Sequence, residues 1–291
     1  MGNMLKFELR RLLKKPVFYI MLGLCVGVAV FYVFSARENM NYMIENMSEI
    51  VSEYDYYGYE KSWVKEHFAE YLSPQRLALG ELWWMLPTVL AIFTAIFVCE
   101  DRARGTIKNI YARGYSRTSV FFAKFIVSSA VAATLYLLVV GALYLSGTIV
   151  FWTAPFDVSP QTVKGFWLLV LGRLILILAA NAGYFMVSEF IGGNTGFSIA
   201  SNMFAPSVMN GILYLGLSFF FYVVLRNQDI EDKYAIIQNI IEYWIYSLTM
   251  EGFNIGMEPD AYVWHLVAAA IYFIVFMGLS WLISVKKEVK N

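Results

Sequence analysis

Six apolar runs separated by polar segments set the rhythm of the chain: Val17–Phe34, Leu82–Cys99, Phe125–Trp152, Phe166–Val187, Phe197–Leu225 and Ala261–Val285. Each meets the roughly 18 to 25 residues that an α-helix needs to cross about 30 Å of hydrocarbon. The pattern predicts an all-α, polytopic membrane protein with six transmembrane helices. The first run follows Lys6, Arg10, Arg11, Lys14 and Lys15, as a secretory signal would. It exceeds the roughly 7 to 15 apolar residues of such a signal, so it is expected to stay in the membrane as an anchor.

The polar segments carry patterns of their own. Ahead of the first run, Leu5, Leu9, Leu12 and Leu13 recur at helical spacing against the five cations until Pro16 interrupts them. This predicts an amphipathic helix lying in the inner interface, with its cationic face toward lipid headgroups. Between runs one and two, Met43, Met47, Ile50, Val51 and Tyr54 trace one helical face, and Trp63, Val64, Phe68, Tyr71 and Leu72 a second. A loop of that length usually has structure or a task, and a small outer helical cap is expected, its tyrosines suited to the interface. Between runs five and six, Ile236, Ile237, Ile240, Ile241, Trp244, Ile245 and Leu248 form one apolar face of about four turns. That helix is too short to span and is expected on the outer leaflet.

Composition agrees with the pattern. Apolar residues make up 59% of the chain and charged residues 15%, outside the range of soluble domains. Lys and Arg collect in the N-terminal arm, between runs two and three, and in the tail, which places both termini and that loop in the cytoplasm. The formal net charge of zero hides a polarity: segments assigned inside carry a positive excess, and outer ones a negative excess of nearly equal size. Topology alone accounts for this; an electronegative outer face that receives cationic solutes is the second reading. The resulting single transmembrane domain, 1–291, opens with an interfacial helix (1–16), span one (17–34), an outer helical loop (35–81) and span two (82–99). A cytoplasmic loop (100–117), span three (118–152), an outer loop (153–165), span four (166–187) and an inner loop (188–196) follow. Span five (197–225), an outer segment (226–260), span six (261–285) and a cytoplasmic tail (286–291) complete it.

The basic segment Glu100–Lys124 has an internal design. Gly105 opens a short helical stretch in which Ile107, Ile110 and Tyr111 share a face while Lys108, Asn109 and Arg113 lie elsewhere. Gly114 supplies a stop and Ser116 an N-cap for the next helix. A short helix across the inner mouth, apolar face on the bundle and polar tip in the cytosol, is the expected result.

Chemistry-bearing motifs are missing from the chain. There is no GxxxxGK[ST] phosphate loop, no HExxH and no nucleophile elbow. His67 and His265 are far apart and lack metal-ligand spacing, so no catalytic residue and no metal site is expected. Cys25 and Cys99 read as small apolar packing residues.

Taken together, Glu100, Gly105-Thr106-Ile107, Gly114-Tyr115-Ser116-Arg117 and Ala123-Lys124 resemble the loop of the ABC-2 type permeases, the membrane subunits of ATP-binding-cassette exporters. The N-terminal FELRRLLKKP, with Phe7, Glu8, Leu9, Arg10 and Pro16, is similar to that family's opening helix. The resemblance implies that Glu100, Gly105, Thr106, Ile107, Lys108, Asn109, Arg113, Gly114, Ser116 and Arg117 form a coupling helix received by a separate ATPase subunit. It implies that Phe7, Arg10 and Arg11 lie alongside, that ATP and Mg bind to that partner with no cofactor on this chain, and that two permease subunits pair, as a homodimer. A bacterial plasma membrane is the implied setting, with lipid as a further partner and no nucleic acid.

The same resemblance implies a substrate path along spans two and five, with Met85, Thr88, Phe93, Ser198, Asn202, Met203, Pro206, Met209 and Asn210 as candidates. Asn194, Ser198, Asn202, Pro206 and Asn210 recur every four residues, and amides in hydrocarbon are costly unless partnered or wetted. Helix packing is the competing reading, since Gly192 and Gly196 make a GxxxG pair. Arg173, the one formal charge well inside a span, should pair or snorkel, while Glu189 at the inner end of the same span reads as solvated. The leading expectation is a permease subunit exporting an amphiphile, such as an amphipathic, antimicrobial or toxin peptide. Alternatives are an ion-gradient-driven secondary transporter, which usually shows midplane charges and repeated halves, and a non-transporting toxin-binding immunity protein.

Overall fold

The computed structural model describes residues 2–46, 74–79, 85–153, 165–204 and 259–286, with isolated positions 212, 215, 216 and 219. Among the described residues the regular structure is entirely helical. The elements are α1 (Gly2–Leu13), α2 (Pro16–Glu45), α3 (Pro74–Leu79), α4 (Met85–Ala103), α5 (Thr106–Ala112), α6 (Arg117–Thr153), α7 (Phe166–Ile191) and α8 (Pro259–Lys286). Residues 195–204 are helical as well.

Among the described residues four helices are long and apolar enough to cross a membrane, over Pro16–Asn39, Arg117–Val150, Phe166–Ile191 and Val263–Lys286. These match expected spans one, three, four and six. The place of expected span two is taken by α4, which is not one of these four and whose described apolar part runs from Met85 to Cys99 before Glu100, Asp101 and Arg102 close it. Span five lies largely outside the described residues, as do Pro206, Met209 and Asn210. The outer apolar faces around Trp63 and Ile236 lie outside them too. One boundary differs clearly from expectation. The first helix does not end at Phe34 but continues unbroken to Glu45, because Ser35–Glu45 contains no Gly or Pro to stop it.

Pro16 does not merely end α1; it begins α2, where a missing N–H costs nothing at the first helical position. In α1 itself the buried edge is Met4, Glu8 and Leu12, spaced four residues apart, while Leu9 and Leu13 face outward. Only Leu12 of the leucine stripe therefore belongs to the buried edge, and an acid takes the central buried position.

The chain divides into two compact units. One comprises 1–18, 83–133 and 171–291, the other 19–82 and 134–170. In the first, Val98, Phe121, Phe125, Ala182 and Phe185 form an aromatic core joined by Phe273 and Phe276 of α8. Phe185 meets both Phe121 and Phe125 edge-on at 5.6 and 5.4 Å, the arrangement favoured by ring quadrupoles. In the second unit, fully buried Tyr136 donates its hydroxyl to the Val170 carbonyl at 2.9 Å. Gly147 admits α3 there: a Cβ at that position would lie 3.3 Å from Pro74 Cα.

Candidate functional site

Two left-handed glycines frame α5. Gly105 (φ 67°) precedes it and Gly114 (φ 85°) follows it, conformations that cost a residue with a Cβ about 1 to 2 kcal/mol. Ser116 then caps α6, its hydroxyl accepting from the Ser119 N–H at 3.2 Å. The helix is seated by Ile107 and Ile110, both buried, and Ile110 packs with Met4 of α1 and with Val120 and Ala123 of α6. Lys108, Asn109 and Arg113 are exposed on the other side. Arg117 lies over the Tyr111 ring at 5.9 Å and donates to the Val285 carbonyl at 2.9 Å.

Asp101, 4% exposed, ties this helix to the rest of the unit. Its carboxylate accepts from Arg11 of α1, from the Thr106 hydroxyl at 3.1 Å, and is ion-paired with Lys124 of α6. Arg11 also reaches the fully buried Glu8 at 2.9 Å, and Lys15 pairs with Glu100, which in turn takes Arg104 at 3.0 Å. Three acids and three bases, Glu8, Glu100, Asp101, Arg11, Lys15 and Lys124, thus interlock at the start of the basic loop. Burial alone would raise the Asp101 carboxyl, but Lys124 and Arg11 outweigh it and hold it well below the usual carboxylate range. Burial pushes the Glu8 carboxyl up despite Lys124 and Arg11. It pushes the Lys15 ammonium down to about 8, with the Arg11 charge acting in the same direction.

Glu189 is not solvated as its position at a helix end suggested. It is buried, and Arg102 grips both its carboxylate and its carbonyl, the latter at 3.0 Å. The reason is tertiary: α4 ends beside the end of α7, so an acid and a base 87 residues apart neutralise each other.

A second polar cluster, without charge, lies deeper in the same unit. Asn181 Oδ1 accepts from Thr94 at 2.9 Å and Ser128 at 3.0 Å, and its amide donates to Ser129 at 3.5 Å. Asn202 donates to the Ala91 carbonyl at 3.1 Å and to Ser188 at 3.0 Å, and Ser198 donates to Ser188 at 2.9 Å. Of the candidate path residues, Met85, Phe93, Ser198 and Asn202 are buried within the chain, Thr88 is half-buried and Met203 is 40% exposed. Asn194 is a helix cap, its Oδ1 accepting from the Phe197 N–H at 3.0 Å. The Gly192–Gly196 pair is split by the end of α7, so it is not one helix face. Arg173 is buried and engaged within the chain, and Phe7 and Arg10 are exposed. Both cysteines are free and buried.

A family model of the ABC-2 family transporter proteins matches residues 4–204, a stretch containing α1 from Met4 onward, α5 and every member of the charged junction. The chain belongs to the ABC-2 transporter family. This ABC-2 protein is thus a multi-pass membrane permease of an ABC transporter, and permeases of its family normally work with an ABC ATPase subunit. No curated protein is significantly similar to it.

Asp101 and Glu8 received no role from the motifs, although Glu8 stands in the opening-helix pattern and both belong to the junction. The available signal was position. Glu8 is the only acid of α1 and falls midway between Met4 and Leu12, on an otherwise apolar edge.

Proposed function

We propose that this ABC-2 permease is the transport half of an exporter in which α5 is the element received by the ATPase subunit. The observation that carries the reading is the construction of α5. It is clamped between two left-handed glycines, seated by Ile107 and Ile110, and leaves Lys108, Asn109 and Arg113 as a polar face with nothing of its own unit over them. Nucleotide-driven closure of the ATPases would press on that face. Because Asp101 joins α5 to α1, α4 and α6 at one carboxylate, the push would move these helices together as a rigid body.

In this reading the basic loop and both termini are cytoplasmic, ATP and Mg reside on the partner, and two copies of the permease pair in a bacterial plasma membrane. The route follows α4 and the segment beginning at 195, with Thr88 and Met203 as the described candidates that reach the surface. The substrate class is an amphipathic peptide of the antimicrobial or toxin kind. Support comes from the acidic excess of the outer segments and the apolar faces around Met43 and Ile236, which suit a cationic amphiphile.

The test is Lys108→Glu with Arg113→Glu in the assembled complex. Placing like charges in an interface slows transport-coupled ATP hydrolysis by about tenfold or more while the isolated ATPase keeps its basal rate. Unchanged coupling in a folded, membrane-inserted protein removes α5 from the role.

A further inference from the structure

The face of α1 opposite its buried edge forms an open groove of about 430 Å³, lined by Asn3, Lys6, Phe7, Arg10, Arg11 and Lys14. That volume falls within the roughly 300 to 1,000 Å³ of small-molecule sites. At about 100° per residue, Lys6 and Arg10 lie some 160° around the helix from Glu8, so the acid of α1 faces away from the groove. Among the described residues Lys6, Arg10 and Lys14 form no ion pair, whereas Arg11 and Lys15 are both paired with acids. Three of the four cations that line the groove therefore have no carboxylate partner among the described residues.

The flanks of the groove are apolar. Phe7, Leu9 and Leu13 are between 42 and 47% exposed, and Val17 at the start of α2 is 38% exposed. A helix with a cationic row beside exposed aliphatic and aromatic side chains suits the boundary between headgroups and acyl chains. A soluble anion would be matched by the charges alone and would leave those flanks unused. Guanidinium groups fork onto phosphate oxygens and ammonium groups add point charge, so the ligand chemistry is a phosphate monoanion or diester.

We infer that the Lys6–Arg10–Lys14 groove is a binding site for the phosphate of an anionic phospholipid headgroup, held with its acyl chains along Leu9, Leu13 and the start of α2. Arg11 belongs both to this groove and to Asp101, so an occupied site reaches the junction that holds α5 through one side chain. The site rests on membrane residence alone and not on the role proposed for α5.

The test uses the full-length permease in neutral detergent, titrated with phosphatidylglycerol, phosphatidylcholine, glycerol phosphate and inorganic phosphate, with bound lipid counted by native mass spectrometry. Each cation near an anionic surface is worth about fivefold, so Lys6→Gln with Arg10→Gln and Lys14→Gln lowers phosphatidylglycerol affinity roughly a hundredfold. Phosphatidylcholine binding stays unchanged, and Lys6→Arg with Lys14→Arg, which preserves charge, retains the lipid. Equal affinity for the two lipids, or a triple variant that binds as the parent does, overturns the inference. Glycerol phosphate or inorganic phosphate binding as tightly as phosphatidylglycerol shows a free-anion site and overturns it too. Loss of the ATPase subunit from the triple variant with lipid binding intact reassigns the groove to a protein partner.

Discussion

The junction around Asp101 and the cluster around Asn181 and Ser188 lie in the same compact unit but are made of opposite materials. Around Asp101, three acids meet three bases where α4 leaves its apolar run; around Asn181, amides and hydroxyls meet inside the bundle with no formal charge. The difference follows from solvation. Full charges are tolerated at a helix end, where Glu100 and Arg104 keep contact with solvent, but in hydrocarbon each would cost several kcal/mol. Neutral groups can be buried deeper because one hydrogen bond satisfies most of what they lose. Charge therefore links elements at a helix end, where solvent is near, and amides hold helices together inside the bundle.

The contrast breaks most visibly at Asp101. Asp101→Asn leaves buried Lys124 and half-buried Arg11 against a neutral amide, and removing one partner from a buried pair costs about 3 to 5 kcal/mol. Thermal unfolding in detergent reads this as a large drop in melting temperature, and adding Lys124→Met restores most of it. If Asp101→Asn melts with the parent, the junction is not the anchor of α5.

Asn181→Leu is the matched experiment in the neutral cluster. It strands the Thr94 and Ser128 hydroxyls, yet intramembrane hydrogen bonds are individually weak, so the expected loss is only about 1 to 2 kcal/mol. A loss equal to that of Asp101→Asn would erase the distinction drawn between the two clusters.

The smallest effect separates them by pH. Lys15, faced by Arg11, Asp101, Lys124, Glu8 and Glu100, titrates near 8 when folded against an ordinary value of 10.5. Between those values the unfolded chain binds more protons, so stability rises with pH across about 8 to 10.5. Lys15 keeps a fifth of its side chain in solvent, which screens the gain to about 0.5 kcal/mol. Lys15→Gln should flatten that rise in melting temperature, while Asn181→Leu should leave it in place.

The shape of α5 was legible residue by residue. Gly105, Gly114 and Ser116 marked its start, its stop and the next cap, and the spacing of Ile107 and Ile110 marked its buried face. These are local signals, each set by the conformational preference of one residue. The long helices were legible for the same reason, except that α2 ran past the end of its apolar stretch to Glu45, since hydropathy measures membrane depth and not helix length. The junction was not legible. Nothing in the pattern of five N-terminal cations tells Arg11, which is tied to Asp101 90 residues away, from Arg10, which is exposed. The polar stripe from Asn194 to Asn202 showed the same ambiguity. Its members resolved into a cap and two buried donors only once Ser188 and Ala91 were placed beside them.

By itself the amino-acid sequence determined the helical class, the positions of the apolar runs and the glycine-framed helix of the basic loop, because hydrophobic length and backbone preference act over a few neighbouring residues. Its family likeness pointed to an ABC-2 permease, which the match over residues 4–204 bears out. Only the tertiary structure decided which charges neutralise each other. It buried Glu8, gave Glu189 to Arg102 and gathered Arg11, Thr106 and Lys124 onto Asp101. The reason is that Coulomb energy in a desolvated site depends on distances of a few ångströms between residues far apart in the chain, and no local pattern encodes them.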